Sequence, residues 1–256
     1  MIYVCIPSYN EAPTVGLLLW KIRQVFAEFP REYQLLVGDD ASTDSTREIL
    51  EPYQKVLPLE IVRNRTREGT TRTVERLVKL ALERSDRPKR DAVVILHADF
   101  THSAAALPEM IKKLESGADL VVAEGEVRGG EPRGYRWFRR WGPHLLPRAA
   151  RAPGVRDGFS GFIAARLIAV RTALRASGDP LLRLDGWAGR AELIAKLARQ
   201  ARRVDVLSAP ERVDLRERPT RLDPWAEAKA IWRARPLLRD LPPMSRGTER
   251  AEEAAA

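Results

Sequence analysis

Five short apolar runs alternate with segments of helical periodicity, and that alternation restricts the fold more than any other feature. Ile2 to Ile6, Gln34 to Val37, Leu59 to Val62, Ala92 to Leu96 and Ala118 to Ala123 are each of strand length. Between them, Val15, Leu18, Leu19, Ile22 and Phe26 recur at helical spacing, as do Val74, Leu77, Val78 and Leu82. Ser42 or Thr43 can cap a helix carrying Thr46, Ile49 and Leu50, and Leu107 to Leu114 reads as another. A helix between two strands returns the chain to the edge where it started, so the strands run parallel. An α/β fold follows, with a mostly parallel sheet flanked by helices. The 256 residues suit one such domain, and no internal repeat is present.

After Gly125 the pattern changes. The segment from 128 to 156 is rich in Arg, Trp, Gly and Pro. A strand and helix over Phe162 to Ala176 follow, then a helix over Ala188 to Gln200. Strands at Arg203 to Leu207 and Arg212 to Leu215 precede a helix over Pro224 to Arg235. Residues 236–256 are Pro-, Glu- and Ala-rich with little apolar periodicity, so a mobile tail is expected beyond a domain over 1–235. The 44 basic against 35 acidic residues favour anionic partners. Cys5 is the single cysteine, which excludes an intrachain disulfide and suits a reducing compartment. The N-terminus enters a strand at once, so no signal peptide is expected. No apolar run reaches the roughly 18 residues of a membrane span.

Three of the runs end in polar clusters: Pro7-Ser8-Tyr9-Asn10-Glu11, Asp39-Asp40-Ala41-Ser42-Thr43-Asp44 and His97-Ala98-Asp99. In a parallel sheet these ends share one edge, where ligands bind. A carboxylate can accept from the N–H edge of a base, and an aromatic or proline surface can cover its face. A diphosphate needs a cation, since carboxylates alone repel it. The combination describes a nucleotide-sugar site, with Pro7, Tyr9, Glu11, Asp39, Asp40 and Ala98 about the nucleotide. Asp99, helped by His97, would hold a divalent metal. An imidazole is a poor ligand for hard Mg²⁺, so His97 favours Mn²⁺, acts through water, or does not bind the metal. Each element has a plainer reading. Asp39-Asp40 could cap a helix, Glu11 could meet a helix dipole, Tyr9 could be packed, and His102 is expected at the surface.

The motifs resemble those of family-2 glycosyltransferases with the GT-A (Rossmann-like) fold. The likeness rests on residues 6–11, 37–46 and 97–102, on Leu107-Pro108-Glu109, on Gly117 to Val122 and on Asp157-Gly158-Phe159-Ser160-Gly161-Phe162. Arg216 to Arg221 is a looser match to the family's closing basic motif. Within the family the chain is similar to polyprenol-phosphate (dolichol-phosphate) mannosyltransferases, over roughly residues 2–235. Departures are His97 where Asp is usual, Glu124-Gly125-Glu126 where an Arg is usual, and Ile163 after Ser-Gly-Phe in place of Arg. Pro219 and Arg221 stand where Gly and Lys are usual. Phosphate recognition is therefore expected at Arg128, Arg133, Arg216, Arg218 or Arg221.

The resemblance implies inverting transfer of a hexose, mannose from GDP-mannose foremost, to a polyprenyl phosphate, with Mn²⁺ or Mg²⁺ as cofactor. A phosphate acceptor needs no general base, because its oxygen is already substantially ionised at neutral pH. A hydroxyl acceptor would need one, and Asp157 is the first candidate. A soluble enzyme using a UDP-sugar and a hydroxyl acceptor, or a non-catalytic nucleotide-sugar-binding protein, are the rival readings. Arg136, Trp137, Phe138, Arg139, Arg140 and Trp141, with Trp225 and Trp232 adding to them, match an interfacial helix on an anionic membrane. Nothing reads as a nucleic-acid motif. The chain is expected to lie peripherally at the cytoplasmic membrane face, by itself or through an anchoring subunit.

Overall fold

The computed structural model describes residues 1–128, 134–212 and 223–241. Its main sheet has seven strands in the order β3-β2-β1-β4-β7-β5-β8. These are β1 (Ile2–Ser8), β2 (Tyr33–Asp39), β3 (Leu59–Arg63), β4 (Ala92–Ile95), β5 (Leu120–Glu124), β7 (Ile163–Arg166) and β8 (Val204–Ser208). The first four are parallel, and β5 pairs in parallel with β8. β7 is antiparallel to both β4 and β5. The expected mostly parallel sheet is present, with this one strand reversed at its centre.

Alternate residues of each strand feed opposite faces. Val4, Ile6, Leu35, Val37 and Val94 pack on α1 (Ala12–Glu28) and α4 (Leu107–Glu115). Tyr3, Cys5, Leu36, Val93 and Ile95 pack on α3 (Thr70–Arg84), α6 (Leu167–Ser177) and α7 (Gly186–Gln200). α2 (Thr46–Tyr53) rests on α1. Gly38 lets α3 approach β2 closely: a Cβ there would lie 2.3 Å from Thr73 Cγ2.

A third apolar cluster lies beyond the sheet edge. Here α5 (Tyr135–Trp141), α7 and α8 (Pro224–Arg239) meet around Trp187. Phe138 and Phe159 stack on Trp187 at 5.0 and 5.6 Å, and Tyr135 meets it edge-on at 5.4 Å. Two short strands, β6 (Val127–Arg128) and β9 (Glu211–Arg212), join in parallel beside it. Of the second expected late strand Arg212 is described, in β9, and 213–215 lie outside the described residues. The last helix runs one turn past its expected end. Pro236 sits inside it, and Leu238 is fully buried in the third cluster.

Candidate active site

The C-terminal ends of β1, β2 and β4 lie side by side, with Ser8 opposite Asp39 and Cys5 opposite Ile95. Each chain turns sharply as it leaves the sheet. Asn10, Ala41 and Phe100 all have positive φ, at 52°, 59° and 58°. Such non-glycine conformations cost about 1–3 kcal/mol each and persist only where their surroundings enforce them. At β1 and β2 the enforcement is a lattice of short polar side chains. Asn10 N–H donates to Ser42 Oγ, and Asn10 Oδ1 accepts from Thr43 N–H at 2.7 Å. Glu11 N–H donates to Thr46 Oγ1, and Ala12 N–H to Asp44. Burial tends to raise the Asp44 pKa, but hydrogen bonds from Thr46 and Ala12 outweigh it and hold it below the usual carboxylate range.

The two neighbouring aspartates play different parts. Asp40 accepts from Asn64 Nδ2 at 2.8 Å and from the N–H groups of Glu68 and Gly69 at 2.8 and 2.9 Å. It is a buried anchor for the loop before α3, not a group poised for a base. Asp39 is also buried, and its Oδ1 accepts from Ser42 N–H at 3.0 Å. Tyr9 stands half-exposed, with the guanidinium of Arg67 4.3 Å above its ring. Pro7 and Glu11 are buried, and Glu11 accepts from Thr14 Oγ1. Arg67 was not read from the sequence. It comes from the loop that Asp40 holds, and only that long-range tie brings it over Tyr9.

Asp99 follows β4 and is buried. Its Oδ1 accepts from both the N–H and the hydroxyl of Thr101, which fixes the carboxylate. Ala98 is packed in the core beneath it. His97 is partly buried and lines a pocket with Ser160, Gly161, Ile163, Trp187 and Arg190. Gly161 is what permits this arrangement. A Cβ there would lie 2.8 Å from His97 Nε2 and 3.0 Å from Arg190 Nη1. Among the described residues no three His, Cys, Asp or Glu side chains form a metal-binding group. One fixed carboxylate with one imidazole fits a cation that arrives with a diphosphate, since phosphate oxygens complete such a shell.

Three expectations fail around Arg139. Phe138 and Arg139 point inward, so they are not interfacial. Phe138 belongs to the Trp187 stack, and Arg139 joins two carboxylates. The Arg139 guanidinium donates to Asp157 at 2.9 and 2.6 Å and to Glu211 at 3.0 and 2.7 Å. Both oxygens of Asp157 are therefore engaged, and the side chain braces a loop instead of standing ready as a base. Glu124, on β5, completes the brace by accepting from the N–H of Asp157 at 2.8 Å. His102 is buried rather than exposed, 5.3 Å from the Phe162 ring. Burial lowers its pKa to about 4, so it is neutral. Burial tends to raise the pKa of Glu211, but the Arg139 charge and hydrogen bonds from Tyr135 and Arg139 outweigh it and depress the value to about 2. Tyr135 donates to Glu211 at 2.8 Å.

The opposite face of α5 is open. Trp137 and Trp141 are 61% and 49% exposed, beside exposed Arg136 and Arg140. Trp225 and Trp232 on adjoining α8 are 74% and 62% exposed. No described helix is long and apolar enough to cross a membrane. Arg128 is exposed on β6, while Arg133, Arg216, Arg218 and Arg221 lie outside the described residues.

The sheet edge of this α/β fold thus gathers a buried aspartate pair, an aromatic and a fixed strand-end carboxylate. The sequence model for "Glycosyl transferase family 2" matches residues 3–174, and the chain belongs to that family. It is 27% identical over 168 residues to a dolichol-phosphate mannosyltransferase from Pyrococcus furiosus, covering 64% of this chain and 45% of that protein. It is also 27% identical over 154 residues to an undecaprenyl-phosphate 4-deoxy-4-formamido-L-arabinose transferase from Edwardsiella ictaluri, covering 56% and 41%. The chain thus spans less than half the length of these curated relatives. The fold matches a mannosyltransferase from Pyrobaculum calidifontis solved with GDP-Man and Mn²⁺, with a TM-score of 0.59 and 19% identity, over 100% of this chain and 68% of that one. It also matches mannosyl-3-phosphoglycerate synthase from Rubrobacter xylanophilus, with a TM-score of 0.61 and 17% identity, over 91% and 72%.

Proposed function

We propose that the chain transfers a hexose, mannose from GDP-mannose foremost, to a polyprenyl phosphate at a membrane surface. The observation that carries the choice of acceptor is the state of Asp157. Asp157, the carboxylate first expected to serve a hydroxyl acceptor, is engaged by Arg139 on both oxygens. A phosphate acceptor needs no such base, because it attacks as an anion. The named activities of the curated relatives, transfer to dolichol phosphate and undecaprenyl phosphate, support the same reading.

In this reading Tyr9 and Asp39 receive the base, with Arg67 closing over it. Asp99, fixed by Thr101 and assisted by His97, would hold a divalent cation, Mn²⁺ before Mg²⁺. That cation would neutralise the diphosphate as it leaves. Positioning and charge stabilisation then supply the catalysis, with Arg128, Arg216, Arg218 and Arg221 as further phosphate ligands. The exposed faces of α5 and α8 rest on the membrane, alone or beside an anchoring subunit. Indole rings suit the headgroup level and arginines suit anionic lipid. We place the protein peripherally, at the cytoplasmic face.

A transfer assay tests the reaction. Radiolabelled GDP-mannose and UDP-glucose are offered separately with a short polyprenyl phosphate and Mn²⁺, Mg²⁺ or EDTA. Metal-dependent label in the lipid phase is expected from one donor, and none with Asp99→Ala. Donor hydrolysis without lipid product would move the reading to a hydroxyl acceptor. Nucleotide binding without either product would leave a non-catalytic binding protein. Sedimentation with phosphatidylglycerol vesicles tests the surface: binding is expected to weaken in Trp137→Ser/Trp232→Ser, and equal binding to neutral vesicles would argue against anionic lipid.

A further inference from the structure

Arg190 is the third residue at the point where His97 and Gly161 meet. It stands on the second turn of α7, and its guanidinium enters the pocket behind His97. The pocket is small, with about 70 Å³ of space inside it. Its floor is apolar, built from Val74, Ile95, Leu182, Trp187 and Leu193, and Thr70, Thr71 and Ser160 add hydroxyls to its wall.

What sets the half-buried Arg190 apart from the buried Arg139 is the lack of a paired carboxylate. Arg139 has two within 2.7 Å. Among the described residues Arg190 makes no ion pair, and its one hydrogen bond is a long one, 3.5 Å to the carbonyl of Phe159. Asp99, Glu211 and Glu227 act on it electrostatically from beyond contact, and Arg139 opposes them. Glu227 is already committed to the Trp187 N–H at 3.0 Å. Burial is the largest influence on Arg190 and disfavours its charged form. A guanidinium in that state gains more from an incoming anion than one already paired. Its planar fork matches a phosphoryl group.

We propose that Arg190 is a phosphoryl-binding residue of this site, holding either the donor's diphosphate or the acceptor's phosphate. This rests on the proposed function, which puts the nucleotide at the neighbouring strand ends.

Titration calorimetry with the whole chain tests it, in Mn²⁺ and in EDTA. GDP, GMP, UDP and UMP are compared on the wild type, Arg190→Gln and Arg190→Lys, with thermal melts run alongside to confirm folding. If Arg190 holds the donor, diphosphate affinity falls roughly 10- to 100-fold in Arg190→Gln. Monophosphate affinity stays put, and Arg190→Lys recovers part of the loss. If it holds the acceptor, nucleotide affinities are unchanged and the KM for short-chain polyprenyl phosphate rises by a similar factor. Unchanged values in both arms overturn the proposal while leaving the nucleotide site intact. Equal losses for mono- and diphosphate also overturn it, because they indicate a structural role. If the wild type binds none of the four nucleotides, this proposal and the proposed function fall together.

Discussion

The two halves of the crevice are held by different means. At the ends of β1 and β2, short polar side chains, Asp44 among them, and backbone N–H groups lace two loops, Asn10 to Ser42 and Thr43, Thr46 to Glu11, and Asp44 to Ala12. On the far side, one guanidinium clamps two carboxylates drawn from distant strands and loops, with Tyr135 and neutral His102 around them. The first arrangement spreads its energy over many weak bonds, each worth about 1 kcal/mol net. The second concentrates it, since buried charges are tolerable only while all partners are present. The half at β1 and β2, the proposed nucleotide side, should therefore yield gradually to substitution, and the half around Arg139, the proposed acceptor side, abruptly.

Arg139→Met breaks this contrast most severely. It leaves Asp157 and Glu211 facing each other without a cation, and the loss of stability is expected to be about 3–5 kcal/mol. Urea unfolding measures it. A loss below about 1 kcal/mol would mean that the clamp is not what holds α5 to β9. Asp99→Asn is next. It keeps the hydrogen bonds to Thr101 but removes the charge, so transfer should fall about 10²–10³-fold with little change in melting temperature. Equal loss of fold and activity would place Asp99 in the scaffold instead.

Acid sharpens the comparison. The His102 pKa is depressed from 6.5 to about 4. As pH falls from 6.5 towards 4 the unfolded chain takes up a proton that the folded chain refuses, so stability drops, by roughly 3 kcal/mol at most. Glu211 acts in an adjoining window. Its pKa is depressed from 4.5 to about 2, so its contribution is complete above pH 4.5 and is lost as pH falls through 2. Urea midpoints in steps from pH 7 to 4 should decline, and His102→Gln should flatten that decline. A parallel slope in the variant would assign the loss to other groups.

What was legible in the sequence follows the same division. The strand ends could be read because their motifs are contiguous and their geometry follows from a parallel sheet. Within them, Asp39 and Asp40 could not be told apart, since what separates them is the loop at Asn64 and Gly69, 24 and 29 residues further on. On α5 both faces carry an aromatic and an arginine, so no pattern says which face is buried. Trp187 and Glu211 decide it, and both are far along the chain. His102 was expected outside because nothing near it in sequence announces the β9 strand and Phe162 that cover it. Arg190 sits on a helix whose other residues are mostly small or apolar, and only the missing side chain at Gly161 reveals where its guanidinium goes.

The smallest effect belongs to the nucleotide half and separates its two sources of order. Asn10 holds a left-handed conformation, φ 52°, and also ties the β1 loop to Thr43 through its amide. Asn tolerates that conformation better than Ala does, and Gly tolerates it freely. Asn10→Ala loses both the side-chain bonds and the conformational ease, and about 2 kcal/mol is expected. Asn10→Gly loses the bonds but relieves the backbone in the native state, against a more flexible unfolded chain, so about 1 kcal/mol is expected. Thermal melts of the two variants give the difference directly. An Ala variant no worse than Gly would mean that the loop relaxes out of the left-handed region once the amide is gone. The lacing would then be creating the turn, not merely tolerating it. In either case nucleotide affinity should fall by no more than a few-fold, because Asp39 and Tyr9 keep their remaining ties to Ser42 and Arg67.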